Sequence, residues 1–318
     1  KYVICFMNRI IIVFLLLIPG LSKSQNLSFD GSNDYVNMDN TSSLAIDGNV
    51  SVSAWVKFAN FDNSLAAVIS IHSGTNGYAI EKNASANKLS WWIGDGSDDI
   101  EVTTNTLSAN TWYHIVATND GTTSKIYVDG SLANSTAQGS PDGPTGDLNI
   151  GLHSYETASS RYWNGEIDEV AVWKDALTAA EVTALYNSGS GLSASSNSGN
   201  YTSSSDLKGY WKFNEGTGTS VADISGNSNT GTINGASWST STQPTVSSVT
   251  SSTGNGTKKV GDVLAITVTF SENVTVSGTP QLTLETGSTD AVVNYSSGSG
   301  GTTLTFNYTV ASGHVSSD

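Results

Sequence analysis

The tightest constraint on this chain is the period of two in its apolar residues. In "SVSAWVKF", residues 51–58, Val52, Ala54 and Val56 fall on one face of an extended chain, and Ser51, Ser53, Trp55 and Lys57 on the other. "TWYHIVATNDGTTSKIYVDGSL" (111–132) reads as two strands joined at Asp120-Gly121, with a tight turn at Asp129-Gly130. A helical pattern occurs once, in "TAAEVTALYNSG" (178–189), where Thr178 is the N-cap, Glu181 follows three residues on and Gly189 is the stop. Many short strands and a single short helix predict an all-β, two-sheet antiparallel sandwich.

With 318 residues there is room for about two domains. Charged residues make up only 13%, and long Ser/Thr/Asn/Gly stretches take their place, which suits a secreted β-protein. Residues 1–24 read as a leader and signal peptide: Met7, Asn8 and Arg9, the apolar run "IIIVFLLLI" (10–18), then small Ser22 and Ser24 before Gln25. That run is well short of the ~20 residues a spanning helix needs, so no membrane insertion is expected. Cys5 lies inside this segment, so the mature chain has no disulfide and no thiolate metal site. Cleavage removes Lys1, Arg9 and Lys23, leaving 28 acids against 10 cations. Such a surface repels nucleic acid and anionic membranes and suits calcium in a secreted setting.

The acids of "NGEIDEVAVW" (164–173) resemble the E-x-D-x-E strand of retaining β-glucanases, which carry a concanavalin-like jelly roll. Glu166 and Asp168 share a face and Glu169 points away, but the third acid is replaced by Val170 or Ala171. Neighbours on one strand face sit roughly 6.7 Å apart, near the ~5–5.5 Å of a retaining pair, so a two-acid hydrolase stays open. No G-x-S-x-G elbow is present and the four histidines lack ligand spacing; His114 sits in a strand and His153 in a loop. For a sugar platform the candidates are Trp91 and Trp92, on opposite faces of one strand, together with Tyr155 and Arg161 in "GLHSYETASSRYWNG". Core packing of one Trp and a solvated loop are the alternatives. Asp95, Asp98 and Asp99 are either a rim calcium site or a solubilising cluster.

"LSFDGSNDYVNM", "WYHIVATNDG", "IYVDG" and "GEIDEVAVWKDALTAAEV" resemble, in order, the laminin-G-like or pentraxin-like jelly-roll domains of secreted bacterial proteins. The resemblance spans about residues 27–187. It implies a non-catalytic module that binds glycans or mediates adhesion, often with calcium, and puts Trp55, Trp112, Trp163, Trp173 and Trp211 in the core. It also implies a structural Ca2+ held by Asp168 beside Asp30 and Asp34 of "FDGSNDYV"; Asp168 would share its face with Val170 and Val172. A turn role for Asp30, with Asp168 paired to Arg161, is the alternative.

The organisation expected is a jelly roll over 25–240, with a flexible linker at 188–206 and closing strands at 207–238. The 207–238 stretch resembles one that usually precedes "FDGxxDYV", as in a circular permutation; an incomplete second module is the alternative. Residues 243–318 resemble a bacterial immunoglobulin-like adhesin repeat, incomplete at about 75 residues against ~100. The function expected is a secreted or cell-surface module for polysaccharide binding and adhesion, with further repeats of the chain as partners. A glycoside hydrolase or its non-catalytic part, and a structural spacer of a large adhesin, are the alternatives.

Overall fold

The computed structural model describes residues 2–3, 25–39, 42–73, 75–96, 99–154, 161–239, 246–251, 253, 258–274, 276, 279–287 and 290–314. Of the leader read at 1–24 only Tyr2 and Val3 are among them, paired with Lys258–Lys259. The chain divides into two compact units, the larger being residues 24–241.

The larger unit holds β1 (Asn26–Asp30), β2 (Tyr35–Met38), β3 (Val50–Phe58), β4 (Ala67–Ser73), β5 (Asn76–Lys82), β6 (Leu89–Asp95), β7 (Asp99–Thr103) and β8 (Trp112–Asn119). It continues with β9 (Thr123–Val128), β10 (Ser131–Ala137), β11 (Leu148–Ile150), β12 (Asn164–Trp173), α1 (Ala179–Tyr186), β13 (Leu207–Trp211), β14 (Ser220–Val221), β15 (Gly231–Asn234) and β16 (Ser237–Ser239). One sheet runs β10-β9-β8-β3-β12-β1-β16, with β13 beside β12, and the other β14-β15-β2-β11-β4-β5-β6-β7. All strand pairs are antiparallel, and the two sheets make a jelly-roll sandwich. Val52, Ala54 and Val56 of the first sheet share one core with Ile71, Tyr78, Trp91 and Ile93 of the second, as the alternation predicts. At Asp129-Gly130 both residues take positive φ, the geometry of a two-residue hairpin turn between Val128 and Ser131.

Thr178 caps α1 and Glu181 reaches back to it in a capping box, as the sequence predicts. The helix ends at Asn187 in the left-handed region, two residues before the expected Gly189, because asparagine tolerates that conformation. A second apolar cluster lies on the outer face of the first sheet, joining Trp173, Val182, Leu185, Ala194, Tyr201 and Tyr210. The linker composition of 188–206 therefore misleads. Tyr201 is fully buried and its hydroxyl both donates to the Ala194 carbonyl (2.7 Å) and accepts from Trp173 Nε1 (2.9 Å). Tyr201, with Ala194 and the partly buried Leu192, anchors a segment whose other residues are small and polar.

β13 pairs with Val170–Trp173, β15 with β2 and β16 with β1. Trp211, Phe213, Val221 and Ile233 join the main core. β1 and β13 lie end to end along the same edge of β12, with β1 beside residues 164–167 and β13 beside 170–173. At the changeover, a bulge against β3 spans Asp168 to Ala171, and Glu169 takes φ 50°.

The second unit, described here between residues 246 and 314, contains β17 (Val246–Ser251), β18 (Val263–Val274), β19 (Gln281–Leu284), β20 (Ala291–Ser297) and β21 (Gly301–Thr309), ordered β17-β18-β21-β20-β19. Leu264, Ile266, Val268 and Phe270 alternate into its own core with Leu304, Phe306 and Tyr308.

Candidate functional site

The bulge decides what the acids of β12 do. Ile167 faces the main core, but so do Val170 and Val172, while Ala171 and Trp173 face the outer cluster. The extra residue shifts the period, so Asp168 does not share a face with Val170 and Val172 as expected; it lies on the outer side with Glu166. Asp168 is buried and its Oδ1 accepts from Glu169 N–H at 2.9 Å. Glu166 is ion-paired with Lys57, and Glu169 accepts the hydroxyl proton of Tyr210. Glu166 and Asp168 are thus each engaged, one at the surface and one buried.

The three aspartates expected to hold calcium are not brought together. Asp30 and Asp34 meet in a turn: Asp34 Oδ2 accepts from Asp30 N–H at 2.8 Å and Asp30 Oδ1 from Ser32 N–H at 2.8 Å. Burial holds the Asp34 carboxyl above its usual range. The register places Asp30 opposite Asn164, four residues from Asp168, a separation of about 13 Å along the strand. These residues do not fit a shared three-aspartate site, and among the described residues no group of three acidic, His or Cys side chains clusters as metal ligands. Melting the chain in calcium and then in EDTA is expected to move the midpoint by less than ~1 °C, where a filled site would give roughly 5–10 °C. A larger calcium shift that Asp34→Asn abolishes would place a cation there after all.

Of the expected sugar platform, Trp91 is fully buried in the main core and offers no ring to a ligand. Trp92 faces outward but is only 6% exposed. Tyr155 and Asp98 lie outside the described residues, as does the side chain of Asp99. Asp95 is half-buried. His114 is buried between Trp55 and Tyr186, its Nε2 2.9 Å from Ser53 Oγ, a structural position. Trp112 is half-buried rather than core, with the Lys57 ammonium 5.4 Å from its ring centre.

The outer face of the second sheet assembles a site that no single segment announces. One cross-strand row runs Thr232, Asn37, Asn149, Ser70, Ala79, Trp92, Glu101, about 29 Å over seven strands. Asn37 donates to Asn149 (3.0 Å) and Asp147 (3.1 Å), and Glu101 accepts from Ser90 at 2.8 Å. Beside the row, His72 packs on Trp92 with ring centres 4.0 Å apart and on His153 at 5.1 Å. His153 Nε2 lies 3.2 Å from Glu81 Oε2, a contact almost out of water that is an ion pair only when the imidazole is protonated. Burial pushes the Glu81 carboxyl up, against the opposing pull of His153 and Arg161. Arg161 accepts at its carbonyl from His153 N–H (3.3 Å) and is half-buried. A Cβ at Gly94 would stand 2.4 Å from Trp92 Cη2, so glycine there lets the indole lie flat on the sheet. Arg161 and His153 were among the residues singled out in the sequence, and Trp92 too. His72, Glu81, Asn37, Asn149 and Glu101 were missed, because they sit singly on different strands and only register joins them.

Residues 30–183 match the Laminin_G_3 family, described as the concanavalin A-like lectin/glucanases superfamily. No curated protein matches the chain. A protein of Bacteroides ovatus ATCC 8483, described as carbohydrate-binding, is similar in structure at 21% identity with a TM-score of 0.50, over 68% of this chain and 60% of its own. The chain thus spans 60% of the length of that protein. A heptameric SAP-like pentraxin of Limulus polyphemus aligns at 17% identity and TM-score 0.42, over 51% of this chain and 82% of its own. Domain 4 of an extracellular arabinanase of Geobacillus stearothermophilus, in complex with arabinotriose, aligns at 18% and 0.40, over 49% of this chain and 73% of its own. At 21% identity the likeness to the Bacteroides protein shows the fold alone. Among the described residues no helix is long and apolar enough to cross a membrane.

Proposed function

We propose that residues 25–240 are a non-catalytic carbohydrate-binding module of a secreted or cell-surface protein, taking polysaccharide on the outer face of the second sheet. The observation that carries this reading is the row of amide, hydroxyl, indole and carboxylate groups across seven strands, flanked by His72, His153 and Arg161. Sugars need hydroxyl partners, and the exposed Thr232 hydroxyl and Glu101 carboxylate, with the half-buried Asn37 amide, supply them toward the two ends of this row. The Bacteroides protein with the same fold, described as carbohydrate-binding, supports the same class of ligand. The engagement of Glu166 by Lys57 and the burial of Asp168 argue against a two-acid hydrolase on β12. The second unit is read as an immunoglobulin-like repeat that positions the module for adhesion.

On a glycan microarray the chain is expected to retain polysaccharide and to release no reducing sugar from it. Glu101→Trp and Asn37→Trp, which build bulk onto the row, are expected to weaken retention at least about tenfold, equal to ~1.4 kcal/mol. Ser237→Trp, on the opposite sheet, is expected to leave it unchanged. Hydrolysis that vanishes in Glu166→Gln would overturn the non-catalytic reading, and equal loss in all three tryptophan variants would move the site elsewhere.

A further inference from the structure

We infer that Glu101, held by Ser90 and Asn83 at the edge of the second sheet, anchors a subsite for a positively charged amino substituent of the polysaccharide, such as the free amine of a glucosamine unit. This rests on the proposed function and narrows it to amino sugars.

Glu101 ends the cross-strand row on the edge strand β7, opposite Trp92 of β6, and it is the one carboxylate in that row. It is exposed, yet it is held in place. Its Oε2 accepts from Ser90 Oγ at 2.8 Å and from Asn83 Nδ2 at 3.3 Å. Both donors are themselves fixed. Ser90 is fully buried, and half-buried Asn83 accepts at Oδ1 from Ser85 N–H at 3.1 Å. A carboxylate held this way has given up its side-chain freedom on folding, so a ligand does not have to order it. The charge is also unpaired. Among the described residues no lysine, arginine or histidine forms an ion pair with Glu101, Lys88 included.

The hydrogen-bond valences decide what this group can take. The Ser90 hydroxyl proton is spent on Glu101, and its oxygen accepts from Asn83 at 3.2 Å. The Asn83 amide hydrogens serve Ser90 and Glu101. The cluster therefore has no donor left, while both bonds to the carboxylate fall on Oε2 and leave the lone pairs of Oε1 to the solvent. An acceptor-only site meets an acetamide only through its N–H, with the carbonyl unanswered, and it repels a carboxylate or sulfate. An ammonium group brings three donors and no acceptor, and its bonds to a carboxylate are charge-assisted. The formal charge of −15 on the chain draws such a cationic polymer in rather than opposing it.

The test is retention of the full chain at pH 5.5 on three immobilised polymers, a β-linked polyglucosamine with free amines, its N-acetylated counterpart and a neutral β-glucan. Salt at ~0.15 M confines the general field of the acidic surface to about 8 Å. The polyglucosamine is expected to bind at least about tenfold tighter than either of the others. Glu101→Gln is expected to weaken that binding about tenfold and the neutral glucan less than about twofold, because the amide turns its oxygen to Ser90 and Asn83 and presents N–H to the ligand. Glu101→Asp, which keeps the charge but shortens the reach to Ser90 and Asn83, is expected to fall between them, and unchanged melting midpoints exclude misfolding. Asp290→Asn removes one exposed carboxylate from the second unit and is expected to leave all three unchanged. Equal binding of the three polymers, polyglucosamine binding unchanged in Glu101→Gln, or an equal loss in Asp290→Asn overturns the amino subsite while leaving carbohydrate binding intact. Retention of no polymer overturns both.

Discussion

A fragment ending at residue 189 is expected not to fold, whereas one ending at residue 240 is expected to melt in a single sharp transition. The shorter fragment loses Trp211, Phe213, Val221 and Ile233 from the main core, and Tyr201 and Tyr210 from the outer cluster. At roughly 1.5–3 kcal/mol for each large apolar side chain, the four core residues alone account for about 6–12 kcal/mol. That is comparable with the ~5–15 kcal/mol that separates a native domain from its unfolded chain. The deletion also strips the neighbours from one edge of β2, from one edge of β1 and from the C-terminal half of β12, leaving unpaired backbone groups. Near-ultraviolet circular dichroism and calorimetry of the two fragments decide it. A sharp melt from residues 25–189 would show that 207–239 only decorates a domain complete without it.

Glu181→Ala is expected to cost about 3 kcal/mol, or roughly 6–12 °C in midpoint for a domain of this size. Its carboxylate closes the capping box with Thr178, and its Oε1 accepts from Ser203 Oγ (2.6 Å), Thr202 Oγ1 (3.1 Å) and Thr202 N–H (3.2 Å). The residue therefore clamps the 190–206 segment onto α1. Burial by itself would raise this carboxyl, but the bonds from Ser203, Thr178 and Thr202 outweigh it and hold the value at about 2. A depressed carboxylate contributes its stability above the ordinary value and loses it as pH falls toward the folded value. The wild-type midpoint should thus decline between ~pH 4.5 and ~pH 2 through this group, and Glu181→Gln should flatten that part of the profile. Identical acid profiles for the two proteins would show that the clamp is not electrostatic. A midpoint within ~1 °C of wild type for Glu181→Ala would show that 190–206 holds itself in place.

The sequence by itself determined which residues turn inward over most strands. Val52, Ala54 and Val56 could form only one face, and Asp129-Gly130 could hardly do other than turn, because these are properties of neighbouring residues. The capping box of α1 was legible for the same reason: both partners lie within four positions. Register across strands is not local. The row from Thr232 to Glu101 draws on seven separate strands, and Glu81 meets His153 across 72 positions of chain, so no window of sequence contains the site. The acids of "GEIDEV" show the limit most clearly. Their alternation promised Asp168 the company of Val170 and Val172. The handover of one strand edge from β1 to β13 required an extra residue at Glu169, and that single insertion turned Asp168 to the other side of the sheet.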